Sequence, residues 1–162
     1  MDLDNSVTYR GTELNSISVT PAGIVGCQVE EADTSEVELR QFVEPLALQS
    51  GFDVAGVWLG HRWIRLSGHV SDLTRGKTFD RLFALEALFE PTAPYVADPT
   101  TFGYAPLIFS EWTPGGALPR SINVLSHGLR YSFVRSMFGG EEAQPLAIPW
   151  TVTLVAKDPN FA

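Results

Sequence analysis

One stretch of this chain, residues 58–89, limits what the rest can become, because it reads as a strand, a short turn and a helix in succession. Its first part, Gly60-His61-Arg62-Trp63-Ile64-Arg65-Leu66-Ser67-Gly68-His69-Val70, sets Ile64, Leu66 and Val70 on one parity and Arg65, Ser67 and His69 on the other. That is the period-two pattern of a strand with one buried face. Residues 78–89 form the one convincing helix. At about 100° per residue, Phe79, Leu82, Phe83, Leu85 and Phe89 make a broad apolar stripe. Thr78 is placed as N-cap, and Asp80 falls in the first turn, where negative charge suits the helix dipole. Pro91 stops the helix at Glu90. A single apolar helix needs a sheet to lie on.

The flanking sequence supplies strands. Val7-Thr8-Tyr9-Arg10 reads as a first strand, turned by residues 11–15, and residues 17–19 and 23–29 follow as two more, separated at Pro21. Residues 30–38 carry Glu30, Glu31, Asp33, Glu36 and Glu38; such an acidic run reads as a solvated loop. Residues 37–43 alternate as a strand, although their composition also permits a helix, and residues 49–53 look like a turn into the strand at 54–59. Beyond the prolines at 91, 94 and 99 the pattern is strand and turn. Residues 104–112 and 121–125 are strands, Ser126-His127-Gly128 reads as a hairpin turn, and residues 129–135 run to a break at Gly139-Gly140. The last strand, residues 148–156, places Trp150, Val152 and Leu154 on one face and Thr151 and Thr153 on the other. Eight or nine strands with one helix predict a mainly β fold, a β-sandwich or a strongly curled sheet covered by that helix.

At 162 residues the chain is sized for one domain with a substantial core, and no internal repeat or linker divides it. A net charge of −8 without a cluster of lysine or arginine argues against tight duplex binding. No apolar run approaches the roughly 20 residues that span a bilayer, so no membrane anchor is expected. The acidic, polar start Met1-Asp2-Leu3-Asp4-Asn5 is unlike a secretory signal. The single cysteine, Cys27, leaves no intrachain disulfide framework and reads as a small buried residue.

Catalytic signatures are missing: no G-x-S-x-G, no phosphate-binding G-x-x-x-x-G-K, no H-E-x-x-H and no paired CxxC. The reading is of a non-enzyme without catalytic, cofactor or metal residues. His61 and His69 share a strand face roughly 26 Å apart at about 3.3 Å per residue, too far for one metal ion. His127 sits in the expected turn. The acidic run lacks the D-x-[DN]-x-[DN]-G spacing of a calcium loop. Trp58, Trp63, Trp112 and Trp150 fit core packing and subunit contacts better than a stacking platform for sugars. Glu86 is the exception, a carboxylate projected inside the helical stripe between Phe79 and Phe89. It must be at a rim, paired, or at an interface with another chain, and it is the candidate subunit-interface residue, expected to form an inter-subunit ion pair.

The order of these elements resembles the ring-forming domain of bacteriophage distal tail proteins. The residues that carry the resemblance are Tyr9-Arg10-Gly11-Thr12-Glu13-Leu14-Asn15, similar to the opening strand and turn of that family, and the Gly60 to Val70 strand with the helix after it. Trp150-Thr151-Val152-Thr153-Leu154-Val155-Ala156-Lys157-Asp158-Pro159 looks like its last strand and "ala-x-asp-pro" exit. Family members often continue into a galectin-like or sugar-binding module, and the resemblance to the first domain alone leaves that module out of residues 1–162. It implies a tail-tube-like sandwich assembled as a hexameric ring between the tail tube protein and the tail-tip hub protein of the virion. DNA would pass through the channel without specific binding. A major tail tube subunit is the near alternative, since it shares the plan, and a carbohydrate-binding β-sandwich is the alternative of another class.

Overall fold

The computed structural model describes residues 6–45, 52–91, 100, 103–132, 146–158 and 160–161. Eight strands and one helix occupy them: β1 Val7–Tyr9, β2 Thr12–Glu13, β3 Ser16–Thr20, β4 Gly23–Pro45, β5 Phe52–Asp72, α1 Arg75–Leu88, β6 Ala105–Thr113, β7 Gly116–Tyr131 and β8 Leu146–Ala156. The fold is mainly β, as expected. All strand pairings are antiparallel, in the order β2-β1-β6-β7-β8-β5-β4-β3.

That order fixes the curvature. β2 and β3 stand at opposite ends of the sheet, yet only Leu14 and Asn15 separate them in the chain. Three Cα–Cα steps span at most about 11 Å, whereas the ends of a flat eight-stranded sheet would lie about 34 Å apart. The sheet therefore curls so that its two end strands come together at this one corner, and residues 12–20 act as one bent strand that leaves β1 to join β4, the usual corner of a sandwich. Glu13 holds this corner. Its carboxylate accepts the backbone N–H groups of Val7 and Asn15, both at 2.9 Å, and the hydroxyls of Ser6 and Thr8. Leu14, fully buried, donates its N–H to the Val7 carbonyl at 2.7 Å.

Inside the curl the parities read from the sequence hold. Ile64, Leu66 and Val70 of β5 and Ile148, Trp150, Val152 and Leu154 of β8 are buried with Tyr9, Leu107, Ile122 and Val124. The helix lies over β5 and β8 and adds Leu82, Leu85 and Phe89 to the same core. Its start differs from expectation. Thr74 is the N-cap, its side chain accepting from the Lys77 N–H, and no acidic residue sits in the first turn. Thr78 is instead buried one turn in. Its hydroxyl accepts from the Asp72 N–H at 3.1 Å and lies 3.0 Å from the Thr74 carbonyl and 3.1 Å from that of Leu146. Its polarity serves packing against β8, and local sequence cannot separate that role from a cap.

Two other expectations are corrected. The acidic run 30–38 is not a loop; β4 continues through it, paired with β5 across irregularities at Val29/Glu31, Asp33/Glu36 and Val37/Leu39. Residues 126–128 are not a hairpin turn. β7 runs on through them, and the register with β8 shifts between Ser126 and Leu129, with Gly128 at φ +89° in the manner of a glycine-bearing bulge. Ser126, buried, donates its hydroxyl to the Phe89 carbonyl at 2.7 Å and accepts from the Gly128 N–H at 3.0 Å, tying the helix end to the bulge. The residue 133–135 part of the next strand, the Gly139-Gly140 break and most of the proline segment lie outside the described residues, as do residues 49–51 of the expected turn.

Candidate assembly surfaces

The long hairpin is the first surface. β8 accompanies β5 only over residues 62–72 and β3 accompanies β4 only over residues 23–27. Among the described pairings, residues 37–45 and 52–59 therefore form a two-stranded ribbon that runs past the end of β8. Beside the ribbon, on the exposed face of β4 and β5 at residues 30–38 and 61–69, a cross-strand ladder matches acid with base: Glu30 Oε1 to His69 Nδ1 at 2.8 Å, Glu36 to Arg65 at 3.4 Å and Glu38 Oε2 to His61 Nδ1 at 3.2 Å. These partners explain why so acidic a run stays in a strand: Glu36 and Arg65 form a cross-strand ion pair worth a few tenths to about 1 kcal/mol, and Glu30 and Glu38 each meet a histidine ring nitrogen at hydrogen-bond distance. Asp33 accepts the N–H and hydroxyl of Ser35 at one irregularity, and those bonds hold its carboxyl below the usual range. The two histidines thus stand apart, each on its own glutamate. Among the described residues no group of three His, Cys, Asp or Glu side chains could hold a metal ion.

The helix flank is the second. Its buried face is Thr78, Leu82, Leu85 and Phe89, narrower than the stripe expected from periodicity. Phe79 is half-buried, Phe83 is 54% exposed, and their rings lie 6.1 Å apart. Glu86 is exposed and, by helical spacing, falls on the same flank as both phenylalanines. The carboxylate is therefore outside the core, at its rim, with an exposed aromatic one turn away.

The third surface is the β3–β4 hairpin, and nothing in the periodicity marked it. All of β3 except Thr20 is exposed. Ile17 (44%), Val19 (80%) and Ile24 (49%) are accessible, and Val19 pairs with Ile24. Residues 14–29 contain no charged side chain, a signal that a simple charge count along the chain would have found.

Other candidate groups are structural. Cys27 packs against the core, and burial pushes its thiol up to about 11 against the lowering effects of Trp150 and Arg81. Trp150 is a core residue. Trp63 is half-buried, 5.4 Å from the His127 ring, and His127 is an exposed residue of the bulge, not of a turn. The side chains of Trp58 and Trp112 lie outside the described residues. β8 ends at Ala156, and Phe161 meets Phe109 edge-on at 5.3 Å, with the Arg62 guanidinium 4.5 Å from the centre of its ring. No described helix is long and apolar enough to cross a membrane.

No family model matches the sequence, and no curated protein matches it. Solved structures do. The crystal structure of the Dit protein (gp 19.1) of phage SPP1, described as a paradigm of the hub adsorption apparatus in phages that infect Gram-positive bacteria, aligns with a TM-score of 0.58 at 15% identity. The alignment covers 95% of this chain and 50% of that one, so the chain spans half the length of the SPP1 protein. At that identity the likeness establishes the fold, and the fold is the one the Gly60 to Val70 strand and its helix led us to expect.

Proposed function

We propose that this chain is a non-enzymatic structural component of a bacteriophage tail, a distal tail protein whose copies form a hexameric ring. The ring joins the tail tube protein to the tail-tip hub protein, and DNA passes through its channel. The observation that carries this reading is the fold shared with SPP1 Dit over nearly the whole of this chain. Three physical features support it. The ribbon at residues 37–45 and 52–59 reaches past the sheet that β8 completes, which gives each copy an arm for its neighbour. The helix flank of Phe79, Phe83 and Glu86 offers an aromatic surface with a carboxylate beside it, suited to a basic residue on the next subunit. A ring of subunits each carrying −8 is strongly negative as a whole, and a negative field along its channel would repel phosphates so that the genome slides instead of sticking.

Antibody raised to this chain and applied to intact virions tests the reading. Label at the distal end of the tail is expected. Label along the full tail length would assign the chain to the tube, and virions without label would remove it from the tail.

A further inference from the structure

We propose that the outer edge of β3 is a strand-pairing edge that takes a second copy of this chain; this rests on the ring-forming reading above and names a contact within it. The backbone geometry comes first. A Cβ built on Gly26 would stand 1.9 Å from the Ser16 carbonyl oxygen, so that carbonyl points toward β4. In an antiparallel pair the direction of the backbone groups alternates along the strand. Ser16 and Ser18 therefore face β4, and the N–H and C=O groups of Ile17 and Val19 face away from it. β3 ends the strand order, and β4 is its one partner among the described residues.

Edges of this kind are normally guarded by a lysine, a proline or an inward charge. Ser16-Ile17-Ser18-Val19-Thr20 has none of these, and its two outward-facing residues are β-branched and exposed. The choice of partner follows from charge. Two copies at −8 each repel over most of their surfaces, and residues 14–29 are a contiguous stretch without charge where like-charged copies can approach closely. The row of Ile17, Val19 and Ile24 then supplies apolar area beside the new hydrogen bonds. A strand edge of the second copy satisfies the backbone and the side chains together.

Two variants of the full chain test this. Val19→Pro deletes an N–H that faces away from β4, so it removes an intermolecular donor and leaves the hairpin ladder intact. Val19→Lys places a charge at an exposed position and keeps every backbone group. Sedimentation velocity over a concentration series reads assembly, and far-UV circular dichroism with a thermal melt reads folding. Each variant is expected to raise the concentration at which assembly is half complete by at least about tenfold, with the monomer fold unchanged, and Val19→Thr is expected to assemble like the parent. Parental assembly by Val19→Lys overturns the proposal while the ring reading stands. A parent chain that remains monomeric at the highest concentration overturns both.

Discussion

Tyr9 of the first strand stacks on Phe89 at the end of the helix, with ring centroids 4.9 Å apart and planes 9° from parallel. Trp150 of the last strand also meets Phe89, with ring centroids 6.3 Å apart and planes tilted by 31°. One aromatic cluster thus joins the beginning, middle and end of the chain. Replacing Phe89 by Ala should cost about 3–5 kcal/mol, read as a shift of the urea midpoint. Tyr9→Phe should be neutral or slightly stabilising, because the Tyr9 hydroxyl is buried without a hydrogen-bond partner among the described residues.

Gly68 sits where β5 and β4 approach closely. A Cβ there would stand 1.8 Å from the Gln28 carbonyl oxygen, backbone that cannot step aside without breaking the ladder. Gly68→Ala should destabilise the fold by about 3 kcal/mol, and chemical denaturation of the variant checks it.

Acid should loosen two polar clasps. The Asp72 carboxyl is held below its ordinary range first by the hydrogen bond from Arg81 Nε at 2.7 Å, against a smaller opposing effect of burial. For Glu13 burial is the largest single influence and raises the value, but the four hydrogen bonds at the β2–β3 corner together outweigh it and lower it. Both groups titrate lower when folded than unfolded. Their stabilisation is therefore complete above the unfolded value, about 4, and is lost as pH falls through the folded value. Asp72→Asn should cost on the order of 1 kcal/mol at pH 7, and the gap from the parent should narrow once the pH is taken below the unfolded value, about 4. Urea titrations at the two pH values measure it.

Cys27 should be slow to react. With its thiol pushed up to about 11 and packed against the core, little thiolate exists at pH 8. A thiol reagent should modify it much more slowly than a free cysteine, and at the ordinary rate in denaturant.

The legible parts of the fold were those where burial alone decides the pattern. The alternation of Ile64, Leu66 and Val70, and of Trp150, Val152 and Leu154, transferred directly to the core. The misread parts depend on partners distant in sequence. Glu30, Glu36 and Glu38 look solvated until His69, Arg65 and His61 are set across from them, and Thr78 looks like a cap until β8 lies beside it. Ser126-His127-Gly128 has the composition of a turn, but β8 pairs with the strand on both sides and makes it a bulge. Glu13 carried no periodic signal, because its role is to collect hydrogen bonds at a bend.

The most direct test of the central claim is the mass and symmetry of the purified assembly, measured by native mass spectrometry with electron microscopy of the same sample. A closed ring of six times the 17.7 kDa subunit with an open central channel is the result expected. Monomers at every accessible concentration, or tubes that grow without closing, would contradict it.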